Sequence, residues 1–136
     1  MPHELKEGPE SIEISVTAPG REELFRSALE AVLAASYSAS PGGKGDGRVV
    51  PVQAAGSDDE SLLAGLVEDS LRAIRGEPGT LLPPHWLAFD EHRVTANLPL
   101  TGPRADSRAL TLEDASVTAS EGGFTARLAL ASRPAV

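Results

Sequence analysis

The sequence has no cysteine and few aromatic residues, and both shortages limit what the protein can be. Without any cysteine among its 136 residues, the chain has no disulfides, no cysteine-ligated zinc, no thiol catalysis and no thiol redox switch. Aromatic residues make up 4% of the chain, so aliphatic side chains must fill most of a core. A chain of this length is typical of one domain and folds without covalent cross-links. We therefore expect a single domain over residues 1–136.

Long apolar runs are also missing. No stretch approaches the 18 consecutive apolar residues that a transmembrane helix needs. The N-terminal segment 1–7 is polar and lacks the apolar core of a signal peptide. The sequence therefore predicts no membrane span and a cytoplasmic location.

Positive charge is scarce. The chain has 12 lysine and arginine residues against 20 aspartate and glutamate residues, which gives a net charge of -8. Nucleic-acid binding depends on basic side chains that displace phosphate counterions, so we expect no direct binding to nucleic acid. An acidic protein can still dock on a basic enzyme through complementary charge. The expected partner is therefore a protein, and a basic one.

Hydrophobic periodicity divides the first half of the chain into strands and two helices. Residues 12–17 alternate apolar and polar, which is the period of a half-buried strand. A flexible glycine-rich loop is expected over 38–48, and a short strand over 49–53 that Pro51 confines to a sheet edge. Two amphipathic helices are predicted by apolar residues at helical spacing: Leu24, Phe25, Ala28, Leu29, Val32 and Leu33 in the first, and Leu62, Leu63, Leu66, Val67, Leu71 and Ile74 in the second.

The start and end of the second helix have local signals. Ser57, followed three residues later by Glu60, has the form of a capping box. In that motif Ser57 accepts a hydrogen bond from an early helix amide while Glu60 reaches back. Gly76 closes the helix, and Pro78 prevents its extension.

The second half of the chain is predicted to be β-structure. Residues 86–89 and 94–100 suggest one hairpin, and residues 110–117 and 124–130 suggest another. The expected fold is therefore α+β, with two helices packed on one face of a largely antiparallel sheet of about six strands. Residues 1–10 and 132–136 are expected to be disordered ends.

No arrangement of residues predicts stand-alone catalysis. The glycine-rich stretch 42–47 lacks the pattern of a phosphate loop, no G-x-S-x-G elbow occurs, and the three histidines lack metal-binding spacing. His92 follows Asp90 and Glu91, whose carboxylates could raise its pKa, but charged turns are ordinary. We therefore predict no catalytic or cofactor-binding residues, and an accessory or binding protein rather than an enzyme.

Four strings resemble one known family in their order and spacing. These are Glu22-Glu23-Leu24-Phe25, Glu60-Ser61-Leu62-Leu63, Ala109-Leu110-Thr111-Leu112 and Gly123-Phe124-Thr125-Ala126-Arg127-Leu128. They are similar, respectively, to the first helix, the second helix, a late strand and the final hairpin of archease. The likeness covers nearly all of residues 8–132 and implies a single archease-like domain.

The resemblance implies a function in tRNA processing. Archease is a small metal-binding protein that activates an RNA ligase which joins tRNA halves, by promoting guanylylation of the ligase. Its metal site draws on an Asp in a His-Thr-Ala-Asp string before the first strand and on an Asp near the C-terminus, and a His ends its Ala-Val-Thr-Tyr-His strand. A divalent cation is therefore the cofactor that the resemblance implies.

The matching positions in this chain differ from that ligand set. Alignment on the first helix places Gly8 and Ser11 at the first His and Asp, and alignment on the last hairpin places Glu113 at the strand-end His and Ala131 at the C-terminal Asp. Ala131 offers no side-chain ligand. The sequence therefore predicts a diverged member without the metal-binding aspartates, in which only Glu113, helped by Glu10, could coordinate an ion.

Two functions remain open at this stage. The first is an archease-like accessory protein that activates a tRNA-splicing RNA ligase, with the basic ligase as its partner. The alternative is a metal-free protein-interaction module on the same scaffold, without ligase-activating function.

Overall fold

The computed structural model of the chain describes residues 3–7, 11–37, 47–76, 80–101 and 110–132. Within these ranges the chain forms two helices and eight strands. Their bounds are β1 (His3–Glu7), β2 (Ser11–Ala18), α1 (Arg21–Ser36), β3 (Val49–Ala55), α2 (Asp59–Gly76), β4 (Thr80–Leu81), β5 (His85–Phe89), β6 (Arg93–Thr101), β7 (Leu110–Ser120) and β8 (Gly123–Ser132).

The strands form two sheets, and every pairing between described strands is antiparallel. The first sheet has the order β1-β2-β8-β7. In the second sheet β6 pairs with β3 on one side and with β4 and β5 on the other. The predicted α+β class with a largely antiparallel arrangement is confirmed. The strands number eight in two sheets rather than about six in one, because β3 and β7 do not pair and α2 lies between them.

One hydrophobic core joins both sheets and both helices. α1 contacts β2 and β8, while α2 contacts β7 of the first sheet together with β3 and β6 of the second. All twelve apolar positions predicted for the two helices are buried. None of the helices within the described ranges has the length and apolar character needed to cross a membrane.

Side chains of α2 cover the free edges of strands in both sheets. Asp69 accepts a hydrogen bond from the backbone N–H of Gln53 on β3 (2.9 Å). At β7, Glu60 accepts from the N–H of Val117 (3.3 Å), and Arg75 donates to the carbonyl oxygen of Leu110 (3.2 Å). α2 therefore occupies the place of a strand between the sheets, and the predicted edge position of the strand around residues 49–53 is confirmed.

The ends and the long loop differ in part from the prediction. Instead of forming a disordered end, His3–Glu7 is strand β1, paired with β2 so that Leu5 lies opposite Ile14. The strand was missed because its five residues include one large apolar side chain, too few for a period of two to be visible. Residues 1–2, 8–10 and 133–136 lie outside the described ranges, as does the predicted flexible loop except for Gly47 and Arg48.

The start of α2 is capped by a different residue from the one predicted. Asp58 accepts the N–H of Ser61 (2.8 Å), whereas Glu60 reaches Val117 instead of turning back to the helix start. The backbone N–H of Ser61, followed by its hydroxyl, holds the pKa of the Asp58 carboxyl below its usual range. A charged carboxylate at this position also faces the positive end of the helix dipole, which favours aspartate over the neighbouring Ser57.

Replacing Asp58 with alanine is expected to lower the urea concentration at the unfolding midpoint more than replacing Ser57 with alanine does. Because the folded-state pKa of Asp58 lies below its ordinary 3.8, its contribution is fully present above pH 3.8 and is lost as the pH falls through the lower value. Urea denaturation of both variants at neutral and at acidic pH checks this. A larger loss in Ser57→Ala would contradict the assignment of the cap.

An arginine and an aromatic group tie the helix starts to the hairpin of β5 and β6. Arg21 donates to Asp59 through Nε (2.9 Å) and Nη2 (2.6 Å), and its guanidinium lies 5.2 Å from the ring centre of Phe89. Phe89 makes edge-to-face contacts with Phe25 and Trp86 at 5.2 and 5.3 Å. Trp86 is partly buried and packs against the core.

Candidate functional site

Two positions that the resemblance assigned to metal ligands lie side by side in the first sheet. Ser11 at the start of β2 is the register partner of Ala131 on β8, and Thr111 of β7 is the partner of Ala131 on its other side. The antiparallel pairing of the chain's first long strand with its last strand brings the two positions together. Both positions therefore lie at one end of the first sheet.

Glu113 lies near this end in an irregular part of β7. The register between β7 and β8 shifts between Leu112 and Asp114, so Glu113 has no partner across the ladder. Such a bulge redirects a side chain away from the alternating pattern of a strand. The exposed Glu113 faces a depression of about 300 Å³ between α2 and β7.

The depression between α2 and β7 is acidic. Four acidic residues line it, namely Glu60, Glu68, Glu113 and Asp114. Two of the four accept backbone hydrogen bonds: Glu60 from Val117, and Asp114 from the neighbouring N–H of Ala115 (2.9 Å). Exposed acids of this kind give the surface a negative potential.

The residues present do not fit the ion that the resemblance implies. A divalent cation requires several oxygen or imidazole ligands that converge at short range. Ala131 offers a methyl group at one of the two paired positions, and Ser11 occupies the other. Within the described ranges no group of three or more histidine, aspartate or glutamate residues could hold a metal ion. Glu10, the predicted helper of Glu113, lies outside those ranges.

The turn Asp90-Glu91-His92 uses its charges to hold a hairpin. The carboxylate of Asp90 accepts the backbone N–H groups of His92 (3.0 Å) and Arg93 (2.8 Å). These hydrogen bonds, with a smaller effect from the charges of the same two residues, lower the pKa of Asp90. The His92 ring lies against the carbonyl oxygen of Gly56 (3.2 Å to Nδ1), so this turn connects the hairpin to the segment before α2.

A larger groove, missed in the sequence, runs along α2. It has a volume of about 1080 Å³ and is bounded by β3, α2, β5, β6 and β7. Its lining includes the Asp69–Arg72 ion pair and Leu87, which is 64% exposed. Five elements that are distant from one another in the sequence build this groove, so no local pattern could predict it. Leu87, an apolar residue in a short strand, was its only local sign.

The outer face of the first sheet forms a third depression, of about 490 Å³. We define this outer face by the side chains of β2, β8 and β7 that point away from the helices. In one row across the strands, Glu13, Ala129 and Asp114 are register partners. The next row is Ser15, Arg127 and Ser116. The small Ala129 side chain lies between two carboxylates, which creates the hollow.

The chain matches no protein-family model and no curated protein.

Proposed function

We propose that the chain is a cytoplasmic, archease-like accessory protein that acts by docking on a protein partner, for which a basic tRNA-splicing RNA ligase is the first candidate. The observation that carries this proposal is the pairing of Ser11 with Ala131. The first helix and the last hairpin were aligned separately with the family, and they assigned these two positions to ligands of one ion. Such positions must be neighbours in space, and register partners in an antiparallel pair lie about 4.5–5.5 Å apart between Cα atoms.

The charge of the surface supports a basic protein partner. The net charge is -8, and the depression beside Glu113 is lined by four acidic residues. Complementary charge accelerates docking and selects the partner, even where individual exposed ion pairs add little affinity. A basic ligase that grips RNA with its own lysine and arginine residues offers the opposite charge. The accessory protein then needs neither catalytic residues nor direct contact with nucleic acid.

A ligase turnover assay tests this proposal. The purified chain is added to the cognate ligase with GTP and broken RNA, and the product formed beyond one equivalent of ligase is measured. We expect the chain to stimulate repeated turnover, and Glu113→Lys to weaken the stimulation more than Glu22→Lys. Glu22 is an exposed acid in the first turn of α1, so it is the charge-matched control. Absence of stimulation under every added metal would sink the proposal.

A second candidate is a metal-free interaction module without ligase-activating function. The methyl group of Ala131 and the hydroxyl of Ser11 at the paired positions favour it, because they remove the charge that would hold an ion. Titration calorimetry with manganese, magnesium and zinc separates the two candidates further. This candidate predicts no specific heat for any of the three ions. Sub-micromolar binding at one site would count decisively against it.

A further inference from the structure

We propose that the outer face of the first sheet is the contact surface of a weak homodimer with two-fold symmetry. The proposal does not depend on the proposed function, because it rests on the pattern of charge and size across this face. The surface is the depression of about 490 Å³ described above, with its continuation along β2, β8 and β7. The occupant is a second copy of this chain.

Charged residues on this face are exposed and lie in adjacent rows. Glu13, Asp114 and Arg127 are all exposed. Glu13 and Asp114 flank Ala129 in one row, and Arg127 lies two residues along β8 from Ala129, in the next row. Within the described part of the chain, Arg127 has no ion-pair partner. The long Arg127 side chain therefore lies next to the depression at Ala129, which has Glu13 on one side and Asp114 on the other.

A two-fold axis that runs across the strands between these rows makes the face complementary to itself. The axis keeps β8 over β8 and exchanges the two rows. Arg127 of each copy then lies over Ala129 of the other copy, between Glu13 and Asp114. Adjacent strands are about 4.8 Å apart, so both carboxylates lie within reach of the guanidinium.

The side chains on the two outer rows of the face are small enough for two sheets to pack against each other. The row of Ala131 and Thr111 faces the row of Thr17, Thr125 and Thr118 of the second copy. Packed sheets lie about 10 Å apart, a spacing that hydroxyl and methyl side chains permit without a clash. Among the residues of these two rows whose side chains are described, none is large enough to oppose the contact.

The size of the face predicts a weak dimer. Three strands and four rows of residues cover roughly 400 Å² per copy, from the strand spacing and the rise per residue. Stable complexes bury about 800 Å² per partner, so this contact belongs to the weak and transient class. We expect a dissociation constant on the order of tens to hundreds of micromolar, as for other weak contacts of this size.

Sedimentation equilibrium of the whole chain, from about 10 µM to about 1 mM, tests the proposal in the range where such a dimer forms. We expect a monomer–dimer equilibrium at low ionic strength that weakens in about 0.5 M salt, because salt screens exposed charge. Arg127→Glu should weaken the dimer by roughly tenfold or more, because it places an acid between two acids. Ala129→Leu should weaken it by filling the hollow without any change of charge.

Arg26→Glu on α1 is the charge-matched control, because α1 packs on the opposite side of the same sheet. Circular dichroism and the thermal midpoint confirm that each variant is folded. A chain that stays monomeric at the highest concentration and lowest salt would overturn the proposal. So would a dimer that Arg127→Glu and Ala129→Leu leave unchanged, or one that Arg26→Glu weakens as much as Arg127→Glu does.

Discussion

Replacing Gly123 with alanine is expected to lower the free energy of unfolding by about 3 kcal/mol or more. Gly123 opens β8 with a φ of +142°, a conformation that side chains rarely adopt. A Cβ atom there would press into the carbonyl oxygen of Ala18 and lie 2.9 Å from the Cα of Pro19. Both neighbours are backbone atoms, so neither can turn aside as the end of a flexible side chain can.

The preceding glycine is the matched control. A Cβ atom on Gly122 would meet nothing within 4 Å, so Gly122→Ala should change the free energy of unfolding by about 0.5 kcal/mol or less. Urea denaturation of both variants measures the difference. Equal effects of the two substitutions would show that the contact between the β7–β8 turn and the end of β2 is wrongly placed.

Replacing Leu66 with alanine should cost about 2–5 kcal/mol of unfolding free energy. Leu66 lies in the middle of α2 and is fully buried. Because α2 contacts strands of both sheets, the cavity would lie where the two halves of the core meet. Little collapse is possible there, which places the expected loss in the upper part of that range.

Leu87→Ala makes the same chemical change at a residue that is 64% exposed. It should alter the free energy of unfolding by about 0.5 kcal/mol or less, since little apolar surface returns to water. Guanidinium denaturation of the two leucine variants, with unchanged slopes, gives the comparison. A loss in Leu87→Ala comparable to that in Leu66→Ala would mean that the groove along α2 is closed in solution.

The sequence predicted the helices and hairpins well because their signals are local. Leu24 and Leu66 belong to apolar stripes that repeat with the period of a helix, and Gly122-Gly123 marks a turn between two alternating segments. Each pattern lies within a few residues, so no knowledge of distant contacts is needed. The edge position of β3 followed in the same way from the missing N–H of Pro51.

The division into two sheets could not be predicted, because it depends on contacts between distant residues. Asp69, Glu60 and Arg75 read as ordinary charges on the solvent face of a helix. In the structure each one hydrogen-bonds the backbone of a strand edge. The same difficulty hid the cap of α2, because Glu60 has a partner on β7 that the sequence around it does not reveal.

At the candidate site, the sequence drew attention to some residues and gave no sign of others. The resemblance assigned Ser11 and Ala131 to two different aspartates of the family, an assignment that stays a prediction, and the strand register makes the two positions partners. The bulge that redirects Glu113 could not be predicted, because a one-residue shift in pairing leaves no mark on composition. The rows of the outer face were equally hidden, since Glu13, Asp114 and Arg127 come from three strands.

The position of α2 has a consequence for aggregation when the protein is partly unfolded. Because one helix shields the borders of two separate ladders, its detachment would bare amides and carbonyls on β3 and β7 in a single event. A partially opened molecule would then offer two templates for strand addition by other chains, a common route to aggregation and exchanged dimers. Conditions that loosen this helix should therefore produce insoluble material before they produce a fully unfolded monomer.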